Sequence, residues 1–496
     1  VIAGVGQVTA RPTADDPSTW HEPLELMVEA LSRAGGDAAG GDARRSSLLD
    51  RVDEVTAIPS FVWSPRDPAR AAAESLRISP RATRVTGPGG TVPQTALLDA
   101  ATRIAAGELD VAVVVGAEAM KSRDLAKRRR ADVAWRHQGD DVPAAPVVLT
   151  APDALSDPER ACGLALPVST YALFEQALRR AAGLDRVGHL ARLDALAARM
   201  REVARTTAGA WLRDGGGDGS VTAASPSNRM VSAPYTKLLA SNVMVDMGAA
   251  IIVCSLEAAR RAGVDEDAMV FPLAGAVAKE QWLVSTRREL STSLAMAACA
   301  RALFGPAAPS PEAVALVDLY SCFPSAVQLG CAALGIDPLT DPRPPTVTGG
   351  MTFFGGPGNN YVTHSIAETV ARLRASPGAT ALVTALGWYA STHAWATYAT
   401  TPPRGGGFAV HDAQGAVDAV PLREADWGYE GEAEVEAFTV GHDRGGDAAR
   451  AIVSVLAPSG ARRMLACDDA AAAAELEAAD PLGGRVTVRD GWVTIR

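Results

Sequence analysis

A phenol and a thiol stand two residues apart in VDLYSCFPSA, at Tyr320 and Cys322. A phenol with an ordinary pKa near 10 is a poor base at neutral pH, yet it can donate a hydrogen bond or shuttle a proton from a substrate hydroxyl. The Cys322 thiol fits a buried core position, where free cysteines are often found. Glycines recur at Gly89, Gly90, Gly355, Gly356 and Gly387. There the missing side chain lets main-chain N–H groups approach a bound oxygen, although tight turns alone also demand glycine. His364 and His393 are candidate general bases that lie at element boundaries, where structural roles are common. Tyr361 and Tyr389 carry the same two readings, and Thr91 offers either a hydroxyl to a pocket or a cap to a helix. KSRDLAKRRR (residues 121–130) is the densest basic run and reads as a solvated helix face or, through Lys121 and Arg123, as a phosphate contact.

The rest of the composition narrows the class. The chain has 496 residues, 48% hydrophobic and 21% charged, the balance of a globular protein with about three domains. A net charge of −10 argues against nucleic acid as a partner. Six scattered cysteines without a CxxC pair read as reduced thiols, neither a disulfide framework nor a metal site. VIAGVGQVTARP lacks the basic and apolar regions of a signal sequence, and no apolar run approaches the roughly 20 residues of a membrane span. The expectation is a cytoplasmic protein with no membrane span.

Elements that would position these residues alternate along the chain. Residues 1–8 read as a strand, 23–34 as an amphipathic helix, 48–58 as a short helix and a strand, 91–106 as a helix and 110–116 as a strand without a wet face. PQTALLDAATRIAAGELDVAVVVGAEAM is matched later by THSIAETVARLRASPGATALVTALGWYA, helix 363–374 and strand 380–387, which suggests two similarly built halves. Between them, 121–241 reads as an insertion with a helix at 189–204 and a Gly-rich break at 215–219. TTPPRGGG (400–407) has the composition of a linker. Beyond it, 431–440, 449–457, 462–466 and 485–495 read as strands of a small β-barrel or sandwich.

The order of these pieces resembles the thiolase superfamily over nearly all of residues 1–400. VIAGVGQ looks like the opening strand, GGTVPQTALLDAA the nucleophile loop and its helix, and VDMGAAIIVC the strand that closes the first half. VDLYSCFPSA resembles the Asn-Glu-Ala-Phe or His-Asp-Cys-Phe motif, TGGMTFFGGPGNN the Gly-His-Pro loop, and ALGWYA the Cys-x-Gly loop. The resemblance implies an α/β fold of the duplicated, five-layer thiolase type, with two similar βαβαβ-type halves. Its parts would be 1–265 (carrying the inserted loop domain, 121–241), 266–403, and a C-terminal small β-barrel at 404–496. That tail, GEAEVEAFTVGHDRGGDAARAIVSVLAPSGARRMLA, resembles the OB-like part of the DUF35 family, whose members partner thiolase-like proteins.

The catalytic residues implied by the family are absent from this chain. The nucleophile's place falls at Gly90, the histidine's at Gly356, the second cysteine's at Ala385, and the Asn or His of the remaining motif becomes Tyr320. Gly387 is a candidate oxyanion donor through its backbone. Lys121, Arg123, Asn228 and Arg229 are candidate coenzyme A contacts, forming a local basic patch for a polyanion on an acidic protein. The resemblance implies an acyl-CoA-binding protein of lipid metabolism, similar to proteins named acetyl-CoA acetyltransferase, without Cys-dependent thiolase chemistry. Two alternatives stand beside it. One is a tyrosine-assisted retro-aldol lyase on a β-hydroxyacyl-CoA, as in steroid side-chain retro-aldolases. The other is a non-catalytic acyl-CoA or lipid carrier. Thiolases pair through the strand before the nucleophile loop, so a homodimer through Arg84 to Thr86, or a monomer, is expected.

Overall fold

The strands Val111–Ala119 and Asp246–Cys254 are buried at every position and pair antiparallel over nine residues. Runs so apolar are stable only when both faces of their sheet are covered, and that requirement organises the molecule. The computed structural model describes residues 1–41, 46–217, 219–305, 310–403 and 407–495. The expected linker's residues 404–406, and with them the expected boundary between 403 and 404, lie outside the described residues.

The first sheet runs Ile2–Ala10, Asp246–Cys254, Val111–Ala119, Glu54–Ile58, Ala82–Thr86, Val147–Val148. The second runs Leu316–Asp318, Thr380–Gly387, Thr392–Ala399, Phe271–Lys279, Ala409–Asp412. Four consecutive strands of each follow one plan: a parallel pair, then two antiparallel pairs. The halves are therefore duplicated in topology as well as in pattern. Helices Val92–Ala105 and Tyr361–Arg374 pack between the two sheets, Pro23–Ala38 covers the outer face of the first, and Leu294–Phe304 that of the second. These five layers are the thiolase architecture. The expected helix at 363–374 begins two residues earlier, at Tyr361, and the strand at 380–387 has its expected bounds.

Between Ala119 and Asp246 the chain rejoins the first sheet only at Val147–Val148 and forms helices including Pro167–Ala181 and Arg186–Thr206. The first of these was not foreseen: its buried positions include the polar residues Ser169, Thr170, Glu175, Gln176 and Arg179, where it meets three different neighbours. The C-terminal strands Gly431–His442, Ala448–Leu456, Arg462–Cys467, Arg485–Arg489 and Trp492–Ile495 form an antiparallel sheet with its own core. Residues 485–495, expected as one strand, are two, separated by a turn with Asp490 at φ 50° and Gly491 at φ 75°. Ser232 of the insertion pairs with Gly441 of this sheet.

The outer edge of Ala82–Thr86, where thiolases pair, is already occupied at Val85 and Thr86. Val147 and Val148 run parallel to Val85 and Thr86, and Val85 N–H and Gly87 N–H donate to the carbonyls of Pro146 and Val148. A strand whose edge is filled by its own chain has no ladder left to offer there.

Arg462, held within the C-terminal sheet by a buried ion pair, fastens that sheet to the second half. The Arg462 guanidinium donates twice to Glu436, at 2.7 and 2.6 Å, and from its third nitrogen to the carbonyls of Ser285 and Arg287, at 3.0 and 2.6 Å. Arg462→Met would strand the Glu436 carboxylate in the interior and should destabilise this junction by about 3–5 kcal/mol. A lowered midpoint in denaturant-induced unfolding is the expected result, and an unchanged midpoint would show that the pair does not hold the sheet.

Candidate functional site

Helix Val92–Ala105 starts at the Gly89 and Gly90 turn, and its N-terminus points into a cavity of about 560 Å³. Gly89 has φ 144°, a backbone region open to glycine, and its N–H donates to Asn359 Oδ1 at 2.8 Å. Gly90 is held tighter still. A Cβ there would lie 2.2 Å from the Leu386 carbonyl oxygen and 2.3 Å from the Tyr320 hydroxyl. The first obstacle is backbone and cannot rotate away, so no side chain fits at Gly90 without moving the end of Thr380–Gly387.

Tyr320 follows the strand Leu316–Asp318, and its N–H is fixed by Thr384 Oγ1 at 2.9 Å. Its ring packs edge-on to Tyr361 at 5.7 Å, while its hydroxyl, which lines the cavity beside Gly90, has no hydrogen-bond partner among the described residues. Burial, and after it the neighbouring Cys322, raise the Tyr320 phenol well above its ordinary pKa. It is therefore a neutral donor, with no cation beside it to stabilise a phenolate. Burial pushes the Cys322 thiol up to about 12, so this cavity-lining cysteine is a thiol and not a thiolate nucleophile.

Of the other expected positions, Gly356 lines the cavity and its N–H donates to the Asn242 carbonyl at 2.9 Å. Ala385 is buried within its strand opposite Ala394, and Leu386 presents its side chain to the cavity instead. Gly387 does not line the cavity, although its ideal Cβ position is 3.4 Å from Gly90 N.

None of Lys121, Arg123, Asn228 and Arg229 lines the cavity. Lys121 is tied through its backbone N–H to Asp246, at 2.8 Å. Arg123 is exposed on the helix Met120–Arg129, and its charge acts on Glu118. The Asn228 amide is spent inside its own loop, donating to the Val221 and Ala223 carbonyls and accepting from Leu238 N–H. Arg229 donates to the Met230 carbonyl.

Thr91 does not cap its helix with its hydroxyl, as expected of it; the hydroxyl pairs with Thr392 at 3.0 Å. Both threonines line an adjoining cavity of about 420 Å³, which shares Pro88 and Trp388 with the first. His393 lines that second cavity, and burial pulls its pKa down to about 4. His364 is buried against Gln7, 2.9 Å away, with its pKa pulled down to about 3 by burial; neither imidazole can serve Tyr320. Tyr361 is held by Thr348 at 2.7 Å, while Tyr389 reaches the cavity and donates to the Ala165 carbonyl at 3.0 Å.

Several functional residues were missed. Tyr171 lines the cavity from the unforeseen helix and pins the loop after Thr380–Gly387, donating to the Trp388 carbonyl and accepting from Ala390 N–H, each at 2.9 Å. Asn359 was readable as the asparagine following Gly-Gly-Pro-Gly. Glu118 was readable as a carboxylate inside a buried strand. It accepts from Phe61 N–H at 2.5 Å and Ser60 Oγ at 2.9 Å, and so holds the loop that brings Phe61 to the cavity wall.

A chain with this fold and this site is of the thiolase class, with the nucleophile's place closed by backbone and tyrosine. Residues 412–491 match the family model described as the thiolase-like protein type 1 additional C-terminal domain. The whole chain superposes on a monomeric SCP2-thiolase like protein type 1 from Mycobacterium smegmatis, at 27% identity and a TM-score of 0.80, covering 100% of this chain and 98% of that one. An Ltp2-ChsH2(DUF35) aldolase is similar at 19% identity, covering 80% and 97%, with a TM-score of 0.58. The Acat5 thiolase from Ascaris suum, solved in complex with coenzyme A, is similar at 15%, covering 80% and 98%, with a TM-score of 0.53. No curated protein matches the chain. The chain thus has the thiolase fold and carries, at residues 412–491, this added C-terminal domain.

Two outcomes follow from the geometry. Gly90→Cys should lower the thermal midpoint and give no thiolysis of acetoacetyl-CoA in a spectrophotometric assay, since the new side chain meets the Leu386 carbonyl. Robust thiolysis would refute the closed site.

Burial drives Glu118 from 4.5 to about 7, against the pull of Phe61 N–H and Ser60. The folded protein thus keeps a proton that the unfolded chain has released, so this contribution is complete below about pH 4.5 and is lost as pH rises through about 7. Glu118→Gln should remove up to about 3 kcal/mol of that decline, read as the difference between the two proteins' stability–pH curves.

Proposed function

We propose that the protein binds an acyl thioester, an acyl-CoA, in the cavity at Gly90 and Tyr320 without forming a covalent intermediate. The observation that carries this reading is the unpartnered Tyr320 hydroxyl beside the N-terminus of Val92–Ala105. A neutral phenol and a helix N-terminus both favour a carbonyl oxygen that carries partial negative charge. The backbone N–H of Gly90, which lines the cavity, is the accompanying donor. The cavity walls are mainly aromatic and aliphatic, with Tyr171, Phe323 and Leu386 among them, which suits an acyl chain. No charged side chain lines it among the described residues, so the nucleotide of coenzyme A would lie outside the mouth, towards Arg123. The setting we assign is cytoplasmic, and the C-terminal sheet is read as an OB-like domain. It would act by holding helix Pro167–Ala181, which carries Tyr171, against the pocket.

A second reading, a lyase on a β-hydroxyacyl-CoA, draws on the aldolase among the similar structures and on the same Tyr320 hydroxyl. Carbon–carbon cleavage would require the substrate hydroxyl to lose its proton. A buried phenol whose pKa is raised returns protons better than it removes them. The binding reading is the better supported.

Titration calorimetry with acyl-CoA esters and free coenzyme A separates the two. Tyr320→Phe should weaken the ester about tenfold, the loss of one hydrogen bond, and leave free coenzyme A unchanged. Mass spectrometry of the same esters should find them intact. Cleavage of a β-hydroxyacyl ester by the wild type, abolished in Tyr320→Phe, would establish the lyase instead.

A further inference from the structure

A third cavity, of about 170 Å³, lies where the insertion meets the C-terminal sheet. Helices Pro167–Ala181 and Arg186–Thr206 supply Gln176, Arg179, Arg186 and His189, and the C-terminal region supplies Phe438 and Glu477. Three of these side chains are at least 95% buried, and each holds a polar atom that no protein group satisfies: Gln176 Oε1, Arg179 Nε and His189 Nδ1. An unsatisfied buried polar atom costs about 1–3 kcal/mol. Three around one cavity point to a group that binds there.

The local charge says what kind of group. Arg179 donates to Asp480 at 2.5 Å, and Arg186 Nε stands 3.6 Å from the same carboxylate, so two guanidiniums share one anion. Glu477 is engaged by His442, at 2.9 Å, and its carbonyl accepts from Arg186. The His189 ring is 2.9 Å from Glu175 Oε1 but outside hydrogen-bond geometry, and Glu175 is already served by Gln328 and Tyr235, each at 2.7 Å. At Asp480 two guanidiniums against one carboxylate leave one positive charge, with the Glu175 carboxylate set beside His189. That suits a monoanion, while the Glu477 carboxylate in the wall disfavours a dianion. Gln176 Oε1 accepts and does not donate, so it needs a donor on the ligand. Leu190, Met230 and Phe438 close the remaining wall with apolar surface.

We propose that this junction cavity binds a small organic carboxylate that carries its own hydrogen-bond donor, as an apolar α-hydroxy or α-amino acid does. Its carboxylate lies on Arg179 and Arg186, its hydroxyl or ammonium on Gln176 Oε1, and its apolar remainder against Met230 and Phe438. The ligand bridges the insertion to the C-terminal sheet, and so tightens the docking of one on the other. This site is separate from the Tyr320 cavity and does not depend on the acyl thioester reading.

Calorimetric titration of the full chain with L-lactate, L-valine, propionate and inorganic phosphate tests the assignment. Saturable binding of L-lactate or L-valine is expected, the better of the two telling a hydroxy acid from an amino acid, with propionate about tenfold weaker for want of the donor. Gln176→Leu should weaken the donor-bearing ligand about tenfold and leave propionate unchanged, since it deletes the acceptor and keeps the shape. Arg186→Gln, at a half-exposed position, should weaken all three carboxylates. The proposal is overturned if no carboxylate binds, in which case water alone fills the cavity, if phosphate binds as tightly, or if Gln176→Leu leaves lactate and valine unaffected.

Discussion

Gly90 lies so close to the Leu386 carbonyl that the start of a first-half helix and the end of a second-half strand leave no space for a side chain between them. The rest of the site depends on this contact. It brings the helix N-terminus to the cavity, sets the Tyr320 ring into the space that a nucleophile would need, and leaves the tyrosine hydroxyl as the group that a ligand meets. The replacement is thus cooperative in a steric sense. Restoring one catalytic residue of thiolase chemistry would still leave backbone and phenol in its way.

The second feature of the site is burial without compensating charge. Tyr320 and Cys322 both lose water and gain no neighbouring cation, so each is held in its neutral form. A thiolase nucleophile needs the reverse, a lowered pKa beside a helix N-terminus. Here the helix N-terminus remains, and the ionisable nucleophile does not. What is left is a phenol and a helix N-terminus, the donors on which the proposed acyl thioester binding rests.

The insertion ties the cavity to the C-terminal sheet. Helix Pro167–Ala181 turns Tyr171 to the cavity and, two turns on, Arg179 to Asp480 of the C-terminal region. With Arg462 donating to the Ser285 and Arg287 carbonyls and so fixing the sheet to the second half, the added domain braces the pocket wall from two sides. The edge strand used for pairing in thiolases is covered by residues 147–148 of the same chain.

The sequence by itself determined the layered fold, because buried strands such as VAVVVGAEA and TALVTALG and the helices before them carry their environment in their composition. It also determined which catalytic side chains are missing, since a glycine cannot act as a nucleophile wherever the fold places it. Only the tertiary structure decided what occupies the space. The meeting of Gly90 with Tyr320 and Leu386 spans hundreds of residues of chain, and no local period encodes it. The residues that looked suited to coenzyme A lie off the cavity, Asn228 and Arg229 bonded within their own loop and Lys121 held through its backbone N–H, because a side chain in sequence carries no direction until neighbours fix it. Tyr171 and the junction cavity were invisible for the same reason. Each is made by elements that are distant along the chain and share a wall only once both sheets, the insertion and the C-terminal strands have packed.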